Sequence, residues 1–437
     1  MKKHTRREVL ITGGALGAAA AFASPFLGAG PARAAAMFKP ETGAELTLLR
    51  WKRFVQSEED AFLKLVANFT AKTGVKVNVQ NESLDDVQPK ASVAANVGQG
   101  PDLVWGLYSL PHLFPDKCLD MTDLANSLGA ANGGWVSAAK AYGENNGRWI
   151  DIPVAFNGNY INYRISAVKK AGFSEFPTDT ESFLELMKAL KANGTPGGFA
   201  LGHASGDGNA WVHWALWAHG AAMVDENDKV ILNSPETAKA CEYVKRLYNA
   251  SISGTAAWND GSNNKAFLGS KVWLSNNGIS IYAAALRDNM KEIADDMDHA
   301  LWPIGPVGKP TEFQICYPML AFKYTKYPNA CRAFIEYMMS PAAYGPWLTG
   351  AVGYLTQSLN NYASLPVWTE DPKRTVFRDA AERTLTAGYR GSVGEKAAAA
   401  LAEFIVLDMF AGYATGQSSL KGAIASAERK SKRIYER

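Results

Sequence analysis

In the first quarter of the chain, apolar residues recur alternately with the spacing of strands and with that of helices. Apolar runs at 46–50 and 102–105 flank an alternating segment at 75–79, and these three segments predict strands. Apolar side chains also recur every three or four residues over 58–73, which predicts a helix between the first and second strands. A second helical stretch precedes the third strand. This alternation predicts a parallel sheet covered by helices, and therefore an α/β fold.

Capping residues predict where some helices begin and end. Ser57 and Gly74 flank the first helix as an N-cap and a C-terminal stop. Thr178 and Glu181 have the spacing of a capping box at the start of a later helix. Apolar periodicity predicts further helices at 328–339 and over 395–437. We expect no apolar run after residue 34 to reach the length of a membrane span.

The first 34 residues have the pattern of an export signal. Paired arginines, Arg6 and Arg7, precede a weakly apolar run at 9–27, and the small residues at 32–34 suit a signal peptidase. Glycines and prolines interrupt this run too often for a stable membrane anchor, and 27–36 contains no cysteine for lipidation. We therefore expect twin-arginine export, cleavage near Ala34 and a soluble periplasmic protein.

The leader also accounts for the positive charge of the chain. The formal net charge is +3, yet the leader alone holds Lys2, Lys3, Arg6, Arg7 and Arg33 against a single Glu8. The rest of the chain is close to neutral, so its charge does not indicate nucleic-acid binding. Its length suits two lobes of about 200 residues each.

The four cysteines, Cys118, Cys241, Cys316 and Cys331, have no CxxC spacing, which argues against a zinc site. Cys241 lies on the apolar stripe of a predicted helix, where a buried thiol is expected. Two disulfides are possible in an oxidising compartment. We expect mostly free cysteines, with Cys316–Cys331 the least improbable pair.

The chain lacks the usual sequence signatures of catalysis and of metal or cofactor binding. Its histidines include no pair at zinc-ligand spacing, and no P-loop, GxGxxG turn or GxSxG elbow occurs. The acidic segment 225–228 lacks the glycine and ligand order of an EF-hand, and it predicts a hairpin turn before an apolar segment at 229–233. We therefore expect no enzyme activity, no metal and no cofactor.

Aromatic residues are abundant and suggest a ligand with flat C–H faces. Trp211, Trp214 and Trp217 recur at three-residue spacing. This spacing favours a core stripe for Trp214 and Trp217, whereas Trp211 follows a loop and suits either the core or a ligand. Flat rings suit sugar faces, and amide and carboxylate groups suit hydroxyls.

Short motifs occur in a fixed order along nearly the whole mature chain. They are FxxxTGVxV at 69–77, GPDLV at 100–104, IPV at 152–154, YINY at 160–163, KAGF at 170–173, FPT at 176–178, FLGSKVW at 267–273, WPIGP at 302–306 and NACxAFI at 329–335. In this order they resemble the extracellular solute-binding proteins of ABC importers, above all the sugar-binding group that includes maltose-binding protein.

The resemblance implies a type II periplasmic binding protein, in which a multi-segment hinge joins two α/β lobes and the ligand cleft lies between them. It implies that 37–154 and 319–360 form the first lobe and that 155–318 and 361–437 form the second. It also implies capture of a small carbohydrate or polyol by lobe closure and delivery to an ABC permease. We expect the protein to be a monomer.

Departures from the maltose type argue against a maltodextrin ligand. Asn157 stands in place of the hinge carboxylate, 107–109 lacks the acidic residue that often follows the third strand, and 276–280 lacks a frequent tryptophan. Lys52 and Arg53 leave an acidic or phosphorylated sugar open, and the aromatic residues leave a quaternary ammonium osmolyte open. The rival from another class is an exported carbohydrate-active enzyme.

We expect the cleft residues to be aromatic, amide and charged side chains at loop ends and hinge crossings. They are Trp51, Arg53, Glu82, Trp105, Tyr108, Asn157, Trp211, Asn277, Gln314, Tyr317 and Tyr354. Trp105 and Trp211 are expected to stack on the ligand. Glu82, Asn157 and Gln314 are expected to hold its hydroxyls.

Overall fold

Two larger β-sheets and a two-stranded ladder organise residues 37–436, the part of the chain that this computed structural model describes. The export signal expected at 1–34 lies outside the described residues. The strands are β1 (Glu45–Trp51), β2 (Lys76–Glu82), β3 (Leu103–Trp105), β4 (Glu144–Asn145), β5 (Arg148–Trp149), β6 (Ile152–Asn157), β7 (Tyr160–Arg164), β8 (Leu274–Asn277), β9 (Met297–Ala300) and β10 (Ile315–Ala321).

Helices cover the faces of both larger sheets. They are α1 (Gln56–Thr73), α2 (Leu84–Val97), α3 (Thr122–Ala131), α4 (Ser137–Gly143), α5 (Ile165–Lys170), α6 (Thr180–Ala192), α7 (Asp207–Ala218), α8 (Pro235–Ala250), α9 (Ser262–Leu268), α10 (Ser280–Arg287), α11 (Lys291–Asp296), α12 (Pro328–Met338), α13 (Tyr344–Gly350), α14 (Ala380–Arg383), α15 (Glu395–Ala402), α16 (Ile405–Ala414) and α17 (Leu420–Tyr435). Short 3₁₀ turns at Leu110–Leu113, Pro115–Lys117, Thr255–Ala257, Asn360–Tyr362, Pro366–Trp368 and Pro372–Phe377 connect some of them.

The first sheet has the strand order β2–β1–β3–β10–β6. β1 pairs in parallel with β2 and β3, which confirms the parallel arrangement predicted for the first three strands. β10 returns from the second half of the chain and pairs antiparallel with β3 and β6. Residues packed around this sheet form the first lobe.

The second sheet has the order β8–β7–β9, with antiparallel pairs, and the residues packed around it form the second lobe. The chain leaves the first sheet at the end of β6 and enters the second at Tyr160. Gly158 lies at this crossing, where a Cβ atom would stand 2.8 Å from the ring of Tyr160 and 3.0 Å from that of Phe377. The first crossing is therefore packed too tightly for any larger residue.

The N-caps of two helices, α1 and α6, differ from the predicted residues. Gly74 ends α1 with a φ of 77°, as predicted, but α1 begins at Gln56 after an extended Val55, so Ser57 is not its N-cap. Asp179, and not Thr178, caps α6 by accepting a hydrogen bond from the Ser182 amide. An aspartate in extended backbone caps as well as a threonine does, which explains the shift by one residue.

The hairpin turn at 225–228 is present, although the flanking pairing is minimal. Asp225 Oδ1 accepts hydrogen bonds from the amides of Asn227 and Lys229, and a single antiparallel bridge joins Val224 to Val230. The apolar segment 229–233 therefore does not continue as a strand.

The buried residues include the two tryptophans predicted to lie in the core. Trp214 and Trp217 lie in the core of the second lobe, as their spacing predicted. All four cysteines are buried and free, so Cys316 and Cys331 form no disulfide. Burial raises the pKa of each thiol, which keeps it protonated and unreactive.

One later segment is apolar enough to cross a membrane by length and composition, contrary to expectation. It spans residues 395–414, and more than half of it is buried inside the protein. The helix also breaks between α15 and α16, where Phe404 has a φ of 51°. The segment is therefore a pair of core helices.

Asp151 is a buried carboxyl group without a polar partner. Its side chain is fully buried before β6, and neither oxygen has a hydrogen-bond partner. Burial therefore raises its pKa well above the ordinary value. The folded protein retains a proton that the unfolded chain releases above pH about 3.9, so the destabilisation grows as the pH rises from there.

We predict that Asp151→Asn raises the free energy of unfolding at pH 8 by about 1–3 kcal/mol, because it removes the cost of keeping a buried carboxyl protonated. The gain should shrink at pH 4.5. Urea unfolding at both pH values measures the difference, with the exposed Asp116→Asn as a control. An equal gain at both pH values would contradict this origin.

Candidate functional site: an interlobe cleft

A narrow cleft lies where the ends of β1, β6, β8 and the start of β10 meet. Its lining combines aromatic rings, amides and carboxylates from both lobes. The lining residues are Trp51, Phe54, Leu84, Leu107, Asn157, Gly206, Asp207, Asp260, Asn277, Ile315, Tyr317 and Tyr354.

Five of the residues expected from the sequence come together in this lining: Trp51, Asn157, Asn277, Tyr317 and Tyr354. The rings of Trp51 and Tyr317 lie 5.0 Å apart, and the Tyr317 hydroxyl donates to that of Tyr354. Asn157 ties the end of β6 to the backbone by donating to the Tyr354 carbonyl at 2.6 Å. The aromatic side of the cleft therefore belongs to the first lobe.

Arg53 and Trp105 lie beneath this aromatic side and not in the lining. The Arg53 side chain is fully buried, and its Cζ lies 3.8 Å from the ring centres of both Trp51 and Trp105. Its Nε pairs with Glu58 at 3.1 Å, whereas Nη1 and Nη2 have no hydrogen-bond partner. The guanidinium thus supports the Trp51 ring from behind and makes cation–π contacts with both Trp51 and Trp105.

A second arginine shares this buried cluster. Arg50 Nη2 pairs with Glu58 at 3.2 Å and with Glu59 at 2.7 Å. Glu58 also accepts a hydrogen bond from the indole of Trp347. Burial and the nearby charge of Arg53 lower the pKa of Arg50 to about 10. The cluster pairs two cations with two carboxylates, so it presents no net charge to the cleft.

Three expected residues lie away from the cleft. Glu82 ends β2 opposite Trp51 and pairs with Lys90. Gln314 is buried just before β10, where it accepts a hydrogen bond from the backbone amide of Asn159 and donates one to Glu312. Trp211 packs on Phe199 in the second lobe, and its indole donates to the Ala200 carbonyl at 2.6 Å.

Asp207 and Asp260 line the second-lobe side and were not anticipated from the sequence. Asp260 Oδ1 accepts hydrogen bonds from the amides of Gly206 and Asp207, and so caps the start of α7 from another loop. Burial raises the pKa of Asp260 to about 6, and burial together with Asp260 raises that of Asp207. One feature of the sequence could have identified both residues as site candidates: they lie in short glycine-containing segments, 205–209 and 258–261.

An amide network holds Asp207 in place. Asn159 and Asn263 each donate to one Asp207 oxygen, at 2.6 and 2.7 Å. Asn276 in turn donates to Asn159 and to the backbone of Asp207. The carboxylate is therefore held rigidly at the cleft, with acceptor capacity for a ligand hydroxyl.

Within residues 37–436, no group of three or more His, Cys, Asp or Glu side chains is arranged to hold a metal ion. The cleft thus offers rings and hydrogen-bonding groups of both lobes to a ligand.

The sequence profile of the family described as bacterial extracellular solute-binding protein matches residues 64–376, most of the chain. The chain belongs to this family. No protein of curated function matches it significantly.

Solved structures of other solute-binding proteins share the fold of this family member. Maltose-bound MalE3 of T. maritima has a TM-score of 0.77 at 16% identity, over 90% of this chain and 100% of that chain. A Thermotoga lettingae ABC transporter solute-binding protein bound to α-D-tagatose gives 0.77 at 16%, again over 90% and 100%. One from Agrobacterium radiobacter bound to ribitol gives 0.76 at 17%, over 91% and 100%. The fold is that of type II periplasmic binding proteins, with two α/β lobes.

In this solute-binding protein, Tyr108 joins the two lobes beside the cleft. It follows β3 with a φ of 51°, and its hydroxyl donates to the Gly206 carbonyl of the second lobe at 3.1 Å. Its ring stacks on Phe313 at 4.6 Å. Tyr108 was expected to contact the ligand, and in the structure it contacts the facing lobe.

We predict that Tyr108→Phe weakens binding of every ligand by the same factor, about two- to tenfold, because it removes one hydrogen bond between the two lobes. Calorimetry with several ligands measures this factor. Tyr243→Phe removes a hydroxyl that donates to Thr180 within the second lobe, and it should leave affinity unchanged. A loss confined to one ligand would indicate direct contact instead.

Proposed function

We propose that this solute-binding protein captures a small, neutral sugar or polyol and delivers it as a monomer to an ABC permease. The observation that carries the proposal is the composition of the cleft, where Trp51 and Tyr317 offer ring faces and Asp207 and Asp260 offer acceptors. Ring faces suit sugar C–H groups, and buried carboxylates suit hydroxyls. The maltose, tagatose and ribitol of the compared structures support the same class.

The charges argue against the acidic-sugar alternative. Glu58 and Glu59 already form ion pairs with Arg50 and Arg53. Among the described residues that line the cleft there is no cation, so an anionic ligand would find no opposite charge there. The osmolyte and enzyme alternatives gain no support from the compared solute-binding proteins.

We further propose lobe boundaries close to those expected from the sequence. Strand pairing supports 37–154 with 319–360, and 155–318 with 361–437, although the first sheet extends a few residues further. β6 pairs to Asn157 and β10 begins at Ile315.

We predict that neutral monosaccharides, disaccharides or polyols raise the melting temperature, since binding to the folded state stabilises it. For the best ligand, Asp207→Asn should weaken binding about tenfold, because a hydroxyl loses a carboxylate acceptor. Calorimetry measures the affinity, and the surface variant Asp116→Asn is the control. The absence of any shift across the panel, or turnover of the bound sugar, would overturn the proposal.

The compartment is proposed from the leader and the family. Four free, buried cysteines suit a protein that folds in a reducing cytosol before export through the twin-arginine route. Cleavage near Ala34 would then release the protein into the periplasm.

We predict that replacing Arg6 and Arg7 together by Lys leaves the full-length precursor in the cytoplasm, because the twin-arginine route reads the arginine pair. Immunoblots of cell fractions measure this, and Lys2→Arg with Lys3→Arg should export normally. Normal export of the twin-lysine variant would contradict the assigned route.

A further inference from the structure

A groove of about 200 Å³ adjoins the cleft, and Phe54 lines both. One wall is formed by 54–57, which lead into α1 in the first lobe. The facing wall is formed by the outer side of α10 in the second lobe, and Val352 and Arg374 complete the groove. A ligand that extends from the cleft past Phe54 would therefore enter this groove and touch both lobes.

The walls of the groove are mainly aliphatic. Val55, Ala283, Ala284, Leu286 and Val352 contribute to it, and Leu286 is 47% exposed despite its size. Among the described residues of this lining, Phe54 is the one aromatic ring, whereas the cleft holds a tryptophan and two tyrosines. Sugar faces pack on aromatic rings, so an aliphatic wall suits an apolar group better than a second sugar.

The arginines at the rim of the groove do not require a negatively charged ligand. Arg287 pairs with Asp288 at 2.7 Å, and Arg374 lies 3.8 Å from Glu370 and 3.7 Å from Asp371. Both cations are thus paired with carboxylates that lie outside the groove lining. An anionic substituent would have to compete with these partners, whereas an apolar substituent would not.

We propose that the groove holds an apolar aglycone, alkyl or aryl, attached to the sugar in the cleft. The solute class is then a glycoside, with its glycosidic oxygen near Phe54 and its apolar group between 54–57 and α10. This inference rests on the proposed function, since the sugar has to occupy the cleft first. An apolar group that contacts both walls would favour the closed state, for the same reason that a sugar in contact with both lobes does.

The test compares glycosides that differ only in the aglycone. The probes are the methyl, n-hexyl and phenyl glycosides of D-glucose and D-galactose, in both anomeric forms, with the free sugars. Full burial of a methylene strengthens binding roughly fourfold. In a groove that is partly open to solvent, the hexyl glycoside should bind at least about tenfold more tightly than the methyl glycoside of the same sugar.

Leu286→Ser should remove most of this advantage and leave the affinity for the methyl glycoside within about twofold of the native value. Leu63→Ser is the matched control, because Leu63 is similarly exposed, at 44%, and lies outside both the cleft and groove linings. It should change neither affinity. Calorimetry on the mature protein measures both.

Two results would overturn the groove assignment while leaving the proposed function in place. One is binding of sugars with no gain from the alkyl or aryl group. The other is a Leu286→Ser variant that weakens methyl and hexyl glycosides equally. If a polyol binds and no sugar or glycoside does, the proposed function stands and this inference fails. If no sugar, polyol or glycoside binds at all, both fail.

Discussion

Arg50 and Arg53 are buried together beneath the cleft, and the cost of burying their charges constrains everything around them. Glu58 and Glu59, in the first turn of α1, supply the answering charges. This requirement fixes α1 against the end of β1 and brings Trp347 of α13 to the same carboxylate. The Trp51 ring then contacts a guanidinium, and the aromatic side of the cleft follows from that contact.

The two sides of the cleft have complementary chemistry because different constraints shape them. In the first lobe, cation–π contacts and packing hold rings in place. In the second lobe, the start of α7 needs a capping acceptor, and Asp260 supplies it from another loop. Asp207 is then held by amides of β8 and of the chain crossing. Only closure brings rings and carboxylates to one small molecule, which is how binding energy can favour the closed state.

Fold class and family followed from local signals that tertiary contacts do not alter. The alternation of strand and helix spacing over 46–105 predicted the parallel part of the first sheet, because buried faces demand that spacing in any parallel α/β unit. The residues of the site could be predicted from such local signals only in part. Rings and amides at strand ends, such as Trp51 and Asn157, were recognisable since strand ends meet at one edge of a sheet. Trp211 was not, because a tryptophan after a loop has the same local pattern in a core as in a cleft.

By itself, the sequence determined the α/β class, the alternation of strands and helices over 46–105 and the membership of a solute-binding family. Each of these depends on periodicity within single elements or on short motifs in a fixed order along the chain. Tertiary structure alone decided that Asp207 and Asp260 line the cleft, that Arg53 supports Trp51 from behind, and that Tyr108 bridges the lobes. Those roles depend on partners far apart in the chain, such as Asp260 with Gly206 and Tyr108 with Phe313. Long-range packing brings such pairs together, and no local spacing records it.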